Sequence, residues 1–480
     1  RHDPPLELAK LRASALLTEI RTRDLRFTAA QSAELLTTSA GIDITAEALE
    51  NLHQQLEGWA VGLRLALAAL RYTNDADSLL LGLQGGISSI QEYLVQEVLS
   101  AFPAELRQLV EVAALFERFS PELLEEVMAP DTEPEERHDP IARFWELIGQ
   151  GHLLVIPLDA EGRWKRYHHE LRGLLRMELE NELSDTEIHT LHRRASAWFE
   201  RAGEIDEAVG HALAADDANL AADIIARQRL AVLDQDRGFV VESWLDRLPQ
   251  GLETERLDLM LARVMILAER HEAFAMAALA EQVASRLDDP QADPALRSEL
   301  DVRLGQLEVF FHGDGKKARD RLERARRHLP NSSLVRGQHG FYLTAARQLI
   351  GEGEAAMEAL AQQIRVTDPS EVDLLSRLIG GQGVGGLLRG ERVGGGRSAL
   401  RLLDLVRGGG RLTLEAWGCY LEGAARFHRD ELEEGARALE AAAARPHVLQ
   451  RRVLLDALAA SAYCHQRLGR DGRVDSLLDQ

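Results

Sequence analysis

With 480 residues the chain has room for about three or four domains. Its 78 acidic against 56 basic residues leave a net charge of −22, which argues against nucleic-acid binding by this chain itself, since neutralising phosphates takes a basic footprint. Two cysteines, Cys419 and Cys464, stand without His or Cys partners at ligand spacing, which argues against a disulfide framework or a zinc site and suits a reducing compartment.

The chain opens on Arg1 and is expected to be an internal fragment of a longer protein. Residues 1–27 read as the tail of a larger domain: a loop at Asp3-Pro4-Pro5, a short helix over Leu6–Ser14 and a strand over Leu16–Ile20, which needs a sheet to pair with. Thr28 is placed to cap a helix over Ala29–Thr37, and Thr45 a second one carrying Leu49, Leu52 and Leu56. Gly58 breaks that helix, and a third runs through Leu63, Leu67 and Leu70, giving a small helical domain over 28–72. A linker over 73–86 leads to helices over Ile90–Phe102, Pro103–Phe116, Pro121–Met128 and Ile141–Gln150. Leu153–Leu158 and Arg163–Tyr167 then flank the turn Asp159-Ala160-Glu161-Gly162 as a hairpin. Helices followed by a hairpin are the order of a winged helix, here 73–182.

From about 185 the sequence reads as helical hairpins, an arm over 183–240 and a repeat region over 241–480. Turn points at Gly313-Asp314, Gly351-Glu352, Gly390-Glu391, Arg429-Asp430 and Gly469-Arg470 recur at spacings of 38, 39, 39 and 40 residues. Such a period marks a solenoid of hairpins related to tetratricopeptide repeats. The glycines of 380–410 are expected to soften the packing locally, because each costs about 1 kcal/mol in a helix relative to alanine; a seam that admits a ligand is the alternative. The fold class is thus mainly α: a small helical domain, a winged helix with a β-hairpin, then an α-solenoid. No nucleophile elbow, carboxylate pair or metal spacing stands out, so no catalytic or metal-ligating residue is assigned.

Read in order, DPPLELAKLRASALLTEIRTRDLRF, GWAVGLRLA (58–66), EYLVQEVL, LLVIPLD, RWKRYHH (163–169), LHRRASAWFE and DEAVGHALAADD resemble the MalT-like, ATP-dependent LuxR-type regulators of the STAND class of switch ATPases. The resemblance covers residues 1 to about 225, and the repeat period carries it further. It implies a nucleotide-binding domain ahead of this chain and a helix-turn-helix behind it. It also implies an ATP/ADP switch, with Mg accompanying ATP. The sequence contains no P-loop motif, so this fragment is not expected to hydrolyse ATP, while the parent is expected to be a slow ATPase switch. Arg1 falls where the family places an arginine that reads the terminal phosphate. Gly62, Leu63 and Arg64 fall in a Gly-Leu-Pro-Leu-Ala element near the base, with Arg64 where the family has proline; the packing of a tight helix start explains the same residues. His168 or His169 falls where a winged-helix histidine donates to the β-phosphate of ADP, against the plain alternative of a half-buried structural histidine. The resemblance further implies a small-molecule or protein inducer on the repeats, self-association in the active state, DNA contact only through a further C-terminal domain, no membrane contact and a cytoplasmic location. A STAND protein with another output, a kinase for example, and a helical-repeat scaffold for protein partners are the alternatives.

Overall fold

The computed structural model describes residues 25–40, 44–56, 58–70, 87–128, 134–149, 153–270, 272–287, 292–406, 408–409, 411–444, 449 and 451–478. Arg1, the strand expected over Leu16–Ile20 and the linker expected over 73–86 lie outside them. The chain divides into two compact units, one of residues 1–204 with 214–216 and one of 205–213 with 217–480.

The first unit opens with three helices, α1 (Ala29–Ala40), α2 (Ala46–Leu56) and α3 (Ala60–Leu70). The two threonines cap as their spacing predicts. Thr28 Oγ1 accepts from Gln31 N at 3.3 Å while Gln31 Oε1 accepts from Thr28 N at 3.0 Å, a reciprocal box. Thr45 Oγ1 accepts from Ala48 N at 3.3 Å. Leu36, Leu52, Leu56, Leu63 and Leu70 are fully buried between these helices.

Next come α4 (Ile87–Ser100), α5 (Ala104–Ala113), α6 (Pro121–Met128), α7 (Pro134–Gly149), β1 (Val155–Pro157), β2 (Lys165–Tyr167) and α8 (His169–Glu182). The strands form the expected antiparallel hairpin, with Val155 opposite Tyr167 and Pro157 opposite Lys165. A bridge from Phe119 to Lys165 pins this wing to the helices. Phe116, Phe119 and Phe144 are fully buried, and the Phe119 ring lies 5.0 Å from that of Tyr167. The unit closes with α9 (Asp185–Ala202), which starts on the box between Ser184 and Glu187 and stops at Gly203 in the left-handed region.

The second unit is helical throughout its described residues: α10 (Ile205–Ala214), α11 (Ala218–Leu233), α12 (Gly238–Asp246), α13 (Leu252–Glu255), α14 (Leu257–Glu269), α15 (Ala273–Leu287) and α16 (Pro294–Leu307). A π-helical turn, Glu308–His312, follows, and then α17 (Gly315–Ala325), α18 (Ser333–Leu349), α19 (Gly353–Val366), α20 (Val372–Leu388), α21 (Arg392–Val406), α22 (Leu412–Phe427), α23 (Leu432–Ala443), α24 (Arg451–Arg467) and α25 (Asp471–Leu478). Each predicted turn point holds a residue with positive φ: Gly313 at 69°, Gly351 at 84°, Gly390 at 74°, Asp430 at 64° and Gly469 at 70°. Four of these turns share one hydrogen-bond pattern. At Gly351, for instance, Gly351 N donates to Gln348 O at 3.1 Å and Glu352 N to Arg347 O at 2.8 Å, which is the Schellman motif. The fifth, at Gly313, follows the π-turn, and there Asp314 N reaches back to Glu308 O at 2.9 Å.

The glycine-rich segment packs closely rather than softly. Its helical part forms α20 and α21, where Gly383 and Gly385 stand close against neighbouring side chains while Gly380, Gly386 and Gly394 keep ordinary contacts. A Cβ on Gly383 would lie 2.8 Å from Leu421 Cδ1, and one on Gly385 would lie 2.6 Å from Met357 Sδ. What glycine costs in helix propensity is offset by the close approach of neighbouring helices.

Candidate functional site

Of the residues assigned to nucleotide, Gly62, Leu63 and Arg64 lie on the first turns of α3. The turn that aims this helix depends on Gly58, which sits at φ 69°. Its carbonyl accepts from Phe27 N at 2.8 Å, and a Cβ there would come within 2.0 Å of Phe27 O. Gly62 is held against its neighbours in the same way, since a Cβ would stand 2.4 Å from Trp59 Cε3. Leu63 is fully buried and Arg64 is exposed. Packing alone therefore accounts for Gly62 and Leu63, and Arg64 presents its charge to solvent.

His168 and His169 follow directly on the wing. Three contacts fix the pair. His168 N donates to Leu154 O at 2.8 Å across the hairpin, the buried Tyr167 hydroxyl donates to Val110 O at 3.0 Å, and Arg172 Nε donates to Ala114 O at 2.9 Å, tying α8 to the end of α5. Within this frame the two histidines differ. His169 is exposed and its Nε2 lies 3.2 Å from Glu170 Oε1. His168 is half-buried at the N-cap of α8, and its Nδ1 is buried without a hydrogen-bond partner. Burial, then the neighbouring His169, pushes the His168 imidazole below its ordinary value, with Glu170 opposing and Arg166 adding. At neutral pH it is thus an uncharged ring with one N–H to donate and one nitrogen to accept. Glu170 turns its carboxylate to His169. Among the described residues, no hydrogen bond, ion pair or ring contact links the histidines to Gly62, Leu63 or Arg64. Trp164 and Tyr167 behave as packing residues: Arg118 stacks 4.6 Å above the Trp164 ring, which meets Trp198 edge-on at 6.0 Å.

Within the second unit a cavity of about 310 Å³ is lined from α14, α16, α18, α20, α21 and α22, at the small end of the range of ligand pockets. Its lining joins apolar and aromatic side chains, Phe341, Tyr342, Val384, Leu402, Leu414 and Trp417, to the charged Asp236, Glu269, Arg303 and Arg377, with Gly337, Gly380 and Gly381 leaving part of it bare. The turn after α11 braces the charged part. Asp234 accepts from Ser332 Oγ at 2.6 Å, Ser333 N at 3.0 Å and Leu334 N at 2.8 Å, so a carboxylate about a hundred residues away caps α18. Asp236, in the left-handed region at φ 58°, accepts from Arg377 Nη2 at 3.0 Å. Beneath them Arg229 and Glu299, each 4 % exposed, make a two-pronged ion pair at 2.7 and 2.9 Å. Nothing in the sequence pattern marks these charges. Arg303 and Glu299 lie on α16, whose residues Ser298–Leu307 are all buried, so the helix shows no polar face to read. The available signal was the run of glycines inside α20, opposite Gly337 and Gly340 on α18.

The fold and these sites can be set beside known proteins. In fold the chain resembles a signal-transduction ATPase with numerous domains (STAND) protein with a tetratricopeptide repeat sensor from Pyrococcus horikoshii, at a TM-score of 0.61 and 14 % identity over 92 % of this chain and 63 % of that one. Residues 95–187 match the MalT winged helix domain. The serine/threonine-protein kinase PknK of Mycobacterium tuberculosis is 33 % identical over 324 residues, 66 % of this chain and 28 % of that protein. The HTH-type transcriptional regulator MalT of Serratia proteamaculans is 27 % identical over 334 residues, 69 % of this chain and 36 % of that protein, and that of Klebsiella pneumoniae 28 % identical over 314 residues, 64 % of this chain and 33 % of that protein. In fold the chain is like a STAND protein, and its winged-helix segment is MalT-like; it spans about a third of the length of these curated relatives.

Proposed function

We propose that this chain is the regulatory and sensor portion of a nucleotide-switched transcription activator, off with ADP and on with ATP. On this reading 28–72 is the small helical domain, 73–182 the winged helix, 183–240 the arm and 241–480 the sensor. An ATP-binding domain precedes them, and Arg1 reads its terminal phosphate. His168 rather than His169 donates to the β-phosphate of ADP and holds the closed state, because His168 has an uncommitted ring nitrogen while His169 is engaged by Glu170. An inducer enters the cavity of the second unit and weakens that closure. ATP then exchanges in with Mg, and the protein self-associates in the cytoplasm. DNA contact belongs to a further domain, since this chain carries a charge of −22. Shifting such a switch almost completely takes a differential affinity of about 5.5 kcal/mol, so the inducer must be substantially enclosed.

The observation that carries this reading is a MalT winged helix that ends in a histidine with a free ring nitrogen, on a chain that continues into helical hairpins around a cavity. The test is titration calorimetry of ADP and ATP on the whole protein that contains this chain. His168→Ala should weaken ADP about tenfold or more, the worth of one charge-assisted hydrogen bond, and leave ATP within about twofold. His169→Ala should change neither. Equal losses for both nucleotides, or none, would overturn the assignment. A second output has its own support, because the PknK relative is named as a serine/threonine-protein kinase. Kinase activity without DNA binding in the whole protein would select it and leave the switch in place.

A further inference from the structure

The charged part of the cavity lining is unbalanced. Arg377 is answered by Asp236 and Arg229 by Glu299. Arg303 has no such answer. It is 2 % exposed, its Nη1 donates only to the neutral Gln306 Oε1 at 3.3 Å, and its Nη2 is buried without an acceptor. Among the described residues no carboxylate oxygen lies within ion-pair distance of it. Glu269 is the nearby candidate for a counter-charge. Burial pushes its carboxyl up to about 7, against the pull of Arg303 and Arg377, and it makes no ion pair with Arg303 among the described residues. An arginine cannot escape by losing its proton, so a buried guanidinium without a full partner is a standing cost that an incoming anion would relieve.

We propose, building on the reading that the repeats take an inducer, that this cavity binds a small organic monoanion: a carboxylate paired with Arg303, joined to a ring lodged against Phe341 and Trp417. One unmatched cation calls for one negative charge, whereas a dianion would bring excess charge toward Asp236 and Glu269. The apolar and aromatic lining calls for a ring, and the volume limits the body to a small one. Gln338 Oε1 is buried without a partner and offers an acceptor to a hydroxyl or ring N–H on that body. The bare glycines make the room. A Cβ on Gly380 would meet only Leu402 Cδ2, at 3.6 Å, so that position can be filled from inside the cavity without disturbing the backbone.

The test is ligand-detected NMR and calorimetry on the full chain with indole-3-acetate and 4-hydroxyphenylacetate, their primary amides, and inorganic phosphate. At least one acid should bind with one-to-one stoichiometry, at least tenfold more tightly than its amide and more tightly than phosphate. Arg303→Met should weaken that acid at least tenfold while the unliganded chain melts no lower than the native one, and Arg303→Lys should fall between. Gly380→Leu should abolish binding, and it guards against a folding defect at Arg303. Acid and amide binding equally, phosphate binding more tightly than either acid, or an acid insensitive to Arg303→Met would each overturn the anion assignment. Amide binding that Gly380→Leu abolishes would leave the cavity an inducer site of another chemistry. Failure of every probe would remove the anion site, while the nucleotide switch would still be judged separately by the His168→Ala titrations.

Discussion

The Arg229–Glu299 pair joins α11 to α16 across 70 residues of sequence, and its worth can be worked out from its geometry. Both side chains are 4 % exposed, and both prongs of the guanidinium are engaged, at 2.7 and 2.9 Å. For charge centres about 4 Å apart in an effective dielectric near 20, the attraction is about 4 kcal/mol. Glu299→Leu removes that attraction and strands a cation, so it should cost about 3–5 kcal/mol. Arg229→Met with Glu299→Leu removes both charges from water-free surroundings and should recover to within about 1 kcal/mol of the native chain, or exceed it. The assay is urea unfolding followed by hydrogen exchange on peptides from α11 and α16, which isolates the second unit from the first. Because the pair is buried, the cost of Glu299→Leu should barely change between low and high salt. A single substitution costing under about 1 kcal/mol, or a double one costing as much as the single, would refute the reasoning.

Three further outcomes follow from the geometry. Gly351→Ala forces alanine into the left-handed region and should destabilise its hairpin by about 1–2 kcal/mol, whereas Gly353→Ala, two residues on in the first turn of α19, should be neutral or stabilising; equal effects in thermal melts would contradict the turn assignment. Asp234→Ala removes three hydrogen bonds from the start of α18 and should cost about 2–3 kcal/mol, read as faster hydrogen exchange at Ser333 and Leu334; unchanged exchange there would count against it. Glu269 has a folded value raised from 4.5 to about 7, so the folded unit holds this proton more tightly than the unfolded chain. Its stabilising contribution is complete below about 4.5 and lost as the pH rises through about 7. Glu269→Gln should therefore flatten the fall in stability of the second unit over that window, and an unchanged slope would refute it.

Local chemistry was legible in the sequence wherever a residue acts on its own backbone. Thr28 and Thr45 announce their helices because a hydroxyl three residues ahead of an unpaired N–H is a local fact. The left-handed residues from Gly313 to Gly469 announce their hairpins because only the turn needs that backbone. The wing was legible because the apolar run Leu153–Leu158 and the aromatic-bearing Arg163–Tyr167 flank a tight turn. The charged part of the cavity was not. Arg229, Glu299 and Arg303 carry no sequence signal, since the Arg229–Glu299 pair joins separate helices and period alone does not pair helices. The glycines of α20 read as weakness because propensity is local, whereas the Leu421 and Met357 side chains that press on Gly383 and Gly385 arrive from other helices. His168 was found by its motif, but only its burial and its empty Nδ1 separate it from His169.

An array of hairpins ordinarily behaves like a zip: each repeat touches its neighbours, and the ends open first. Asp234 changes that for part of this one. By capping α18 from the end of α11, with Asp236 gripping Arg377 on α20, the chain closes a loop on itself instead of merely stacking. Everything between α11 and α20 then opens together or not at all, and it pays the entropy of a long closure before any of it is ordered. The hairpins beyond α22, tied among the described residues to the repeats beside them, remain free to breathe singly, so native-state exchange should separate a slow, collective block from a C-terminal stretch that opens piece by piece.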